Sequence, residues 1–393
     1  MKKKKKRNMP AMASTPHDLH RADIALTQIL RYGKQKQDPG PKAKFTISKI
    51  PIPTPGPNEL LVRLSCTSVC HSDVSMAKGH LGPPNSILGH EGVGRVVAAG
   101  SNATYLTGSD GDASSLIGRR IAVGLLRDLC GACDYCHAPA EYGAENRCAA
   151  RIFSGLSLDG TFAQYVLVRA RYAQFLPASL DAVPDEHVAP VLCGGVTAYK
   201  ALKVGNPTAG SWVVVSGAGG GVGAFAVAYA RAMGCRVLGV DVGEAKRAFI
   251  LAQGAEAYVD ATGVDPQADV KRATGGAGGS TVIVAAGSSA AYDAAMGMLA
   301  PFGTLVCVGI PPPGPPATFN PFDMISFGYK IVGSVTGTRT DVLEALDFVK
   351  RGLVVPQVRW AQLDEMQRIM QEVARSEGEG KFVIDLKDYA SAL

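Results

Sequence analysis

The chain has 393 residues, of which 47% are hydrophobic and 19% charged, with 46 glycines and nine cysteines. That length exceeds one ordinary hydrophobic core and suits two domains, and the composition is that of a globular chain. The net charge of +6 resides in Lys2–Arg7; without those six basic residues, 34 basic face 34 acidic side chains, which argues against a nucleic-acid-binding surface. The basic run reads as a solvated tail; the other reading is a nuclear or membrane-surface address. No apolar h-region follows it, so it is not a signal peptide. No run of about 20 apolar residues predicts a membrane span.

Residues 1–43 lack hydrophobic periodicity at first and end in Gln-, Lys- and Pro-rich sequence, which predicts a flexible extension. From Phe45 short strands begin: Phe45–Ile50, a Pro-rich turn through Pro57, then Glu59–Ser65. Strands separated by Pro/Gly turns continue to about Leu176 and predict an irregular β-rich domain. Within it, the Gly/Ser/Asp-rich stretch 101–115 predicts an exposed loop. From about residue 195 to 335 strands alternate with helices. Trp212–Ser216, Arg236–Asp241, Thr281–Ala285 and Thr304–Gly309 read as strands, and Ala224–Met233 as a helix. This rhythm predicts an α/β, doubly wound parallel sheet. A helix over Val342–Arg351 and a return strand at Lys381–Asp385 follow.

Two cysteine groups carry metal chemistry. Cys130, Cys133, Cys136 and Cys148 form a C-x2-C-x2-C-x11-C set. Four thiolates close a tetrahedral shell and predict a structural zinc. Upstream lie Cys70 and Gly89-His90-Glu91. A cysteine/histidine set of three ligands leaves a fourth position open and predicts a catalytic zinc. Most of the nine cysteines fall at such spacings, which predicts reduced thiols in a cytoplasmic protein rather than disulfides.

The turn Gly217-Ala-Gly-Gly-Gly-Val-Gly223 lies between a predicted strand and a predicted helix. It reads as G-x-x-G-x-x-G through Gly217, Gly220 and Gly223, with Gly221 and Val222 at the helix start. Such a turn lets backbone approach a pyrophosphate, and the helix start offers free N–H groups. Alone the motif is weak. Asp241, 24 residues after Gly217, ends the second strand, where a carboxylate accepts hydrogen bonds from an adenosine ribose and repels a 2′-phosphate. NAD is therefore expected over NADP. Lys246 is either a second ribose contact or a solvated lysine.

These segments resemble the zinc-dependent alcohol dehydrogenases of the medium-chain dehydrogenase/reductase family, most closely the fungal, yeast-type branch, over roughly residues 44–387. The resemblance rests on Cys70-His-Ser-Asp73, Gly89-His-Glu-Gly-Val-Gly94, the four-cysteine lobe, Leu192–Lys203 and Glu344-Ala-Leu-Asp-Phe348. It implies a Rossmann domain over 195–335 and a GroES-like catalytic domain over 44–194 and 336–393. It also implies two zinc ions per chain, NAD, and a homodimer or homotetramer. Cys70, His90 and Cys193 would bind the catalytic zinc, with Glu91 able to approach it. By sequence alone Cys193 reads as a core thiol. Asp73 would orient the zinc-bound histidine, and Ser72 would hydrogen-bond the bound alcohol and accept its proton. His71 and Lys381 would lie near the pyrophosphate, and Thr197 near the nicotinamide.

The chain departs from the family in several places. Ser75 stands where many members end a proton relay in histidine. The lobe's last gap is 11 residues against the usual seven, which predicts that 137–147 bulges outward. Lys381 replaces an arginine, keeping charge but losing the bidentate fork. Leu81 and Leu125 stand where the yeast-type branch has two tryptophans, which predicts room for alcohols larger than ethanol. His80 and His137 read as loop residues, Cys66, Cys235 and Cys307 as core thiols, and Asp128 as solvated. Two other functions fit less well: an NADPH-dependent quinone or enoyl reductase, and a non-catalytic cofactor-binding protein.

Overall fold

The computed structural model describes residues 26–32, 45–109, 112–138 and 144–387. Lys2–Arg7 lie outside them. Two sheets organise the chain. The first takes strands in the order Val358–Ala361, Lys381–Asp385, Glu59–Ser68, Gly92–Ala99, Arg120–Val123, Gln174–Phe175, with Tyr165–Arg169 also paired to Glu59–Ser68. Its core is Leu60, Val62, Leu64, Ile121, Phe162 and Ile384, all nearly inaccessible. Lys381–Asp385 runs antiparallel to Glu59–Ser68, with Val383 opposite Ser68. The last strand among the described residues is thereby seated beside the segment that leads into Cys70.

The second sheet is wholly parallel, in the order Ala257–Asp260, Arg236–Asp241, Trp212–Ser216, Gly279–Val284, Leu299–Cys307, Lys330–Gly333. Its central strand is buried on both faces, which is why it reads as an unbroken β-branched run. Val213 and Val215 pack with Phe225, Tyr229 and Leu202, and Val214 packs on the opposite side with Val270, Tyr292 and Leu299. The strand order reverses beside Trp212–Ser216, and a crevice for a ligand opens at the carboxyl ends of strands at such a point. The glycine-rich turn follows directly from that strand.

The α/β reading therefore holds, with three local differences. The stretch 101–115 is no plain loop. It contains a helix at Ala103–Thr107 and a 3-10 turn at Ala113–Leu116, because Ala103 and Leu116 are apolar anchors with no exposure. Two strands, Ala257–Asp260 and Lys330–Gly333, were too short to stand out as periodic segments. Within the expected extension, Leu26–Tyr32 forms a strand paired antiparallel with Phe45–Pro51, an ordering supplied by its partner rather than by its own pattern. Among the described residues, no helix is long and apolar enough to cross a membrane.

Candidate metal and nucleotide sites

Cys70 caps the helix His71–Ala77, and the cap aligns the metal pocket. Asp73, three residues into the helix, has no exposure. Its Oδ2 accepts the Cys70 amide at 3.0 Å, and its Oδ1 accepts the Gly89 amide at 3.1 Å and faces His90 Nδ1 at 2.9 Å. One carboxylate thus fixes the cysteine backbone and the imidazole together. With Nδ1 engaged, His90 Nε2 remains, buried and without a hydrogen-bond partner. A buried unpaired nitrogen is costly unless something else engages it.

Cys193 comes from elsewhere in the chain, at the start of the helix Gly194–Gly205. Its Sγ lies 3.8 Å from Cys70 Sγ. Cys70, His90, Glu91 and Cys193 bring one ligand atom each to within 4.8 Å of one another, all buried. The Cys193 sulfur, then the Lys381 ammonium and His90, hold the Cys70 thiol well below the ordinary range against the effect of burial. A zinc site needs such a thiolate. The orphaned Nε2 and the paired sulfurs fit a zinc ion.

Glu91 is held from two sides. Ser68 donates to it, and Lys381 Nζ lies 2.8–2.9 Å from its oxygens. Burial works against charge on Lys381, but the Glu91 carboxylate holds its pKa above the usual lysine value. This is a different placement from a lysine reaching freely for phosphate. The Lys381 stem passes close to Gly221, where a Cβ would sit 3.4 Å away, and the ammonium turns to Glu91. Lys381 therefore links the nucleotide turn to the metal pocket.

The lobe brings four sulfurs together. Cys148–Cys130, Cys133–Cys136 and Cys130–Cys136 Sγ separations are 3.5, 3.6 and 3.8 Å. A zinc with bonds of about 2.3 Å requires tetrahedral edges of about 3.8 Å. The Ala132 amide, with the Cys148 thiol next, lowers Cys130 to about 6. Asp128, expected to be solvated, is only 2% exposed and pairs with Arg169 at 2.5 Å and Arg171 at 2.8 Å. The two arginines supply the compensation that lets it be buried.

In the nucleotide turn, the Gly217 and Ala218 amides both donate to Val240 O. Gly223 must be glycine: a Cβ there would lie 2.0 Å from Gly217 O. Gly220 caps the helix Gly221–Ala232, whose first residues Gly221 and Val222 are not buried. Asp241 accepts the Gly219 amide at 2.7 Å, and Lys246 Nζ lies 2.9 Å from its other oxygen. Gly219 was missed in the sequence; its place inside the turn was the available signal.

Other sequence-predicted positions separate. Ser72 Oγ stands 3.7 Å from Cys70 Sγ. Thr197 is half-buried one turn into the helix that Cys193 caps, and His71 and His80 are exposed. Leu125 lines a cleft with Leu192, the neighbour of Cys193, and with Thr336, Gly337, Thr338 and Arg339. Leu81 is 39% exposed and not among that cleft's lining residues. The wall at 336–339 was also missed, although its capping box, Thr338 with Asp341, is a readable signature. His137 donates through Nε2 to Gly131 O, 2.9 Å away, and Cys66, Cys235 and Cys307 remain free thiols.

A parallel sheet with a phosphate-type turn, an open cysteine/histidine pocket and a closed four-sulfur lobe together define a metal-dependent, dinucleotide-linked oxidoreductase. Comparison with known proteins agrees. Residues 56–178 match an alcohol dehydrogenase GroES-like domain and residues 221–351 a zinc-binding dehydrogenase domain. An alcohol dehydrogenase from a Moraxella species is 40% identical over 86% of this chain and 95% of its own length. Alcohol dehydrogenase 1 of Emericella nidulans is 37% identical over 86% and 94%. The solved acetophenone reductase of Geotrichum candidum, in complex with NAD, is 25% identical, with a TM-score of 0.75 over 93% of this chain and 98% of that one. The chain belongs to the zinc-dependent alcohol dehydrogenases of the medium-chain dehydrogenase/reductase family. It is an oxidoreductase that interconverts alcohols with aldehydes or ketones, using zinc and a nicotinamide dinucleotide.

Proposed function

We propose that the protein oxidises alcohols larger than ethanol with NAD, and reduces the matching carbonyls. The observation that carries the site assignment is His90 Nε2, buried, unpaired and aligned by Asp73 beside two facing thiols. Cys70, His90 and Cys193 would hold the catalytic zinc; Cys130, Cys133, Cys136 and Cys148 would hold the structural one. Bound there, zinc would supply Lewis-acid polarisation of the substrate oxygen, and the nicotinamide the two-electron chemistry.

The chain's own residues position and exchange protons. Asp73 fixes the His90 tautomer and ring plane. Ser72, beside Cys70, accepts the alcohol proton. With Ser75 in place of a relay histidine, that proton passes on to water. Glu91, restrained by Ser68 and Lys381, would contribute negative charge beside a bound metal ion. Gly217, Gly220, Gly221, Val222 and Gly223 cradle the pyrophosphate, Asp241 and Lys246 meet the adenosine ribose, and His71 and Thr197 flank the cofactor. Lys381, with its ammonium on Glu91 and its stem against Gly221, lies beside the pyrophosphate turn. The Asp241 carboxylate and the complete metal trio weigh against an NADPH-dependent, zinc-free reductase.

Leu125 in place of a large aromatic side chain supports a roomy substrate cleft. A homodimer or homotetramer is supported by the open edge strand Lys330–Gly333. Ile331 on that strand, and Phe302, Phe319, Phe322, Ile325 and Phe327 from neighbouring segments, are all exposed. Residues 44–194 with 336–393 form the catalytic unit in this reading, and 195–335 the NAD-binding unit. Nine free cysteines, several used as metal ligands, support a reducing, cytoplasmic setting.

The test combines metal analysis with NAD reduction across primary, branched, aromatic and secondary alcohols. Two zinc ions per chain and a preference for bulky alcohols are expected. Activity that peaks on ethanol and falls with chain length would remove the roomy-cleft reading. Activity only with NADPH on enones would remove the proposal entirely.

A further inference from the structure

The insertion in the four-cysteine lobe does not simply bulge outward. Residues 139–143 lie outside the described residues, but the three residues before Cys148 turn back into the protein. Each bonds the segment that joins the last strand of the parallel sheet, Lys330–Gly333, to the helix Arg339–Lys350. Glu145 Oε1 accepts the Arg339 amide at 3.3 Å and the Tyr172 hydroxyl at 3.1 Å. Asn146, 2% exposed, donates through Nδ2 to Thr336 O. Arg147 donates to Gly333 O at 2.9 Å. Three consecutive side chains thus hold backbone positions 339, 336 and 333 in order. The Arg339 guanidinium also lies 3.6 Å from Glu145 and stacks 4.1 Å from the Tyr172 ring.

Residues 336–339 of the held segment line the cleft together with Leu125. Gly337 presses so closely on the helix that Cys193 caps that a Cβ would lie 2.2 Å from Val196. A shift of this strap therefore changes the shape of the cleft. We propose that Glu145, Asn146 and Arg147 are positioning residues, through which the lobe insertion fixes the 333–339 wall and sets the affinity for the alcohol. The proposal rests on the alcohol dehydrogenase reading for its kinetic consequence but not for its structural one.

The test compares the full-length, zinc-loaded protein with Asn146→Ala and Arg147→Ala, and with Arg147→Lys, which keeps a donor for Gly333 O. Amide hydrogen exchange over 333–339 is measured together with steady-state kinetics on the best bulky alcohol. Both alanine variants should exchange faster in that segment alone. Their KM should rise about three- to tenfold, the effect of losing one hydrogen bond, with kcat nearly unchanged. Arg147→Lys should restore both readouts. Unchanged exchange over 333–339 overturns the proposal, as does faster exchange throughout both sheets, which marks a merely structural role. Faster local exchange in a protein that oxidises no alcohol would leave the strap standing and remove the functional reading instead.

Discussion

Asp341 ties the helix Arg339–Lys350 to the helix Gly194–Gly205, and its loss should be costly. It is 2% exposed and closes the capping box of the helix Arg339–Lys350, accepting the Thr338 amide at 2.9 Å and the Thr338 hydroxyl at 2.8 Å. It also pairs with Lys203 at 2.8 Å and Lys200 at 3.4 Å, both on the helix Gly194–Gly205. Lys200 is 5% exposed, with no other ion-pair partner among the described residues. Removing a cap costs about 1 kcal/mol, and stripping one partner from a buried ion pair costs about 3–5 kcal/mol. Since the terms overlap, Asp341→Ala should destabilise by about 3–5 kcal/mol, a fall in Tm on the order of 5–10 °C. The pH dependence has a definite sign. Burial opposes its charge, but Lys203 and the Thr338 cap hold Asp341 below the usual aspartate value. A depressed folded pKa contributes stability above the unfolded value of about 3.9, and that stability is lost as pH falls through the folded value. Thermal unfolding of wild type and variant from pH 3 to 8 should therefore show a constant gap at neutral pH that narrows below about pH 4. A gap under one or two degrees at pH 7, or one that widens on acidification, would refute this reasoning.

Three further substitutions probe the metal and nucleotide sites. Cys148→Ser removes one of four lobe sulfurs, so metal analysis should fall from two zinc ions toward one, with a lower Tm; retention of both ions would contradict the lobe assignment. Asp73→Asn replaces the carboxylate that accepts from Cys70 and Gly89 and orients His90, and should weaken zinc binding at the catalytic site about 10- to 100-fold in a chelator competition. Unchanged zinc affinity there would leave Asp73 a helix cap only. Asp241→Ser removes the acceptor of the Gly219 amide and the partner of Lys246. The KM for NAD should rise about tenfold or more while NADP becomes usable, and an unaltered NAD/NADP ratio would show that Asp241 does not meet the ribose.

The parts legible in the sequence are those in which local pattern and chemistry coincide. Trp212–Ser216 and Arg236–Asp241 appear at their expected bounds because a central parallel strand, buried on both faces, must be a continuous apolar run. The four lobe cysteines lie within 19 residues, so their spacing alone predicts a closed shell. The glycine turn was visible because Gly223 leaves no space for a side chain. Cys193 was different. It lies 123 residues from Cys70, and only the docking of the helix it caps brings the two sulfurs to 3.8 Å.

Tertiary structure alone decided the partners of the charged groups. Lys381 and Glu91 are 290 residues apart, and strand pairing between Lys381–Asp385 and Glu59–Ser68 makes them an ion pair. Asp128 looked solvated because sequence shows polarity but not the two arginines that permit burial. The strap of Glu145–Arg147 over 333–339 is equally non-local. Spacing and periodicity report on groups close along the chain, whereas burial and pairing depend on which distant surfaces the fold brings together.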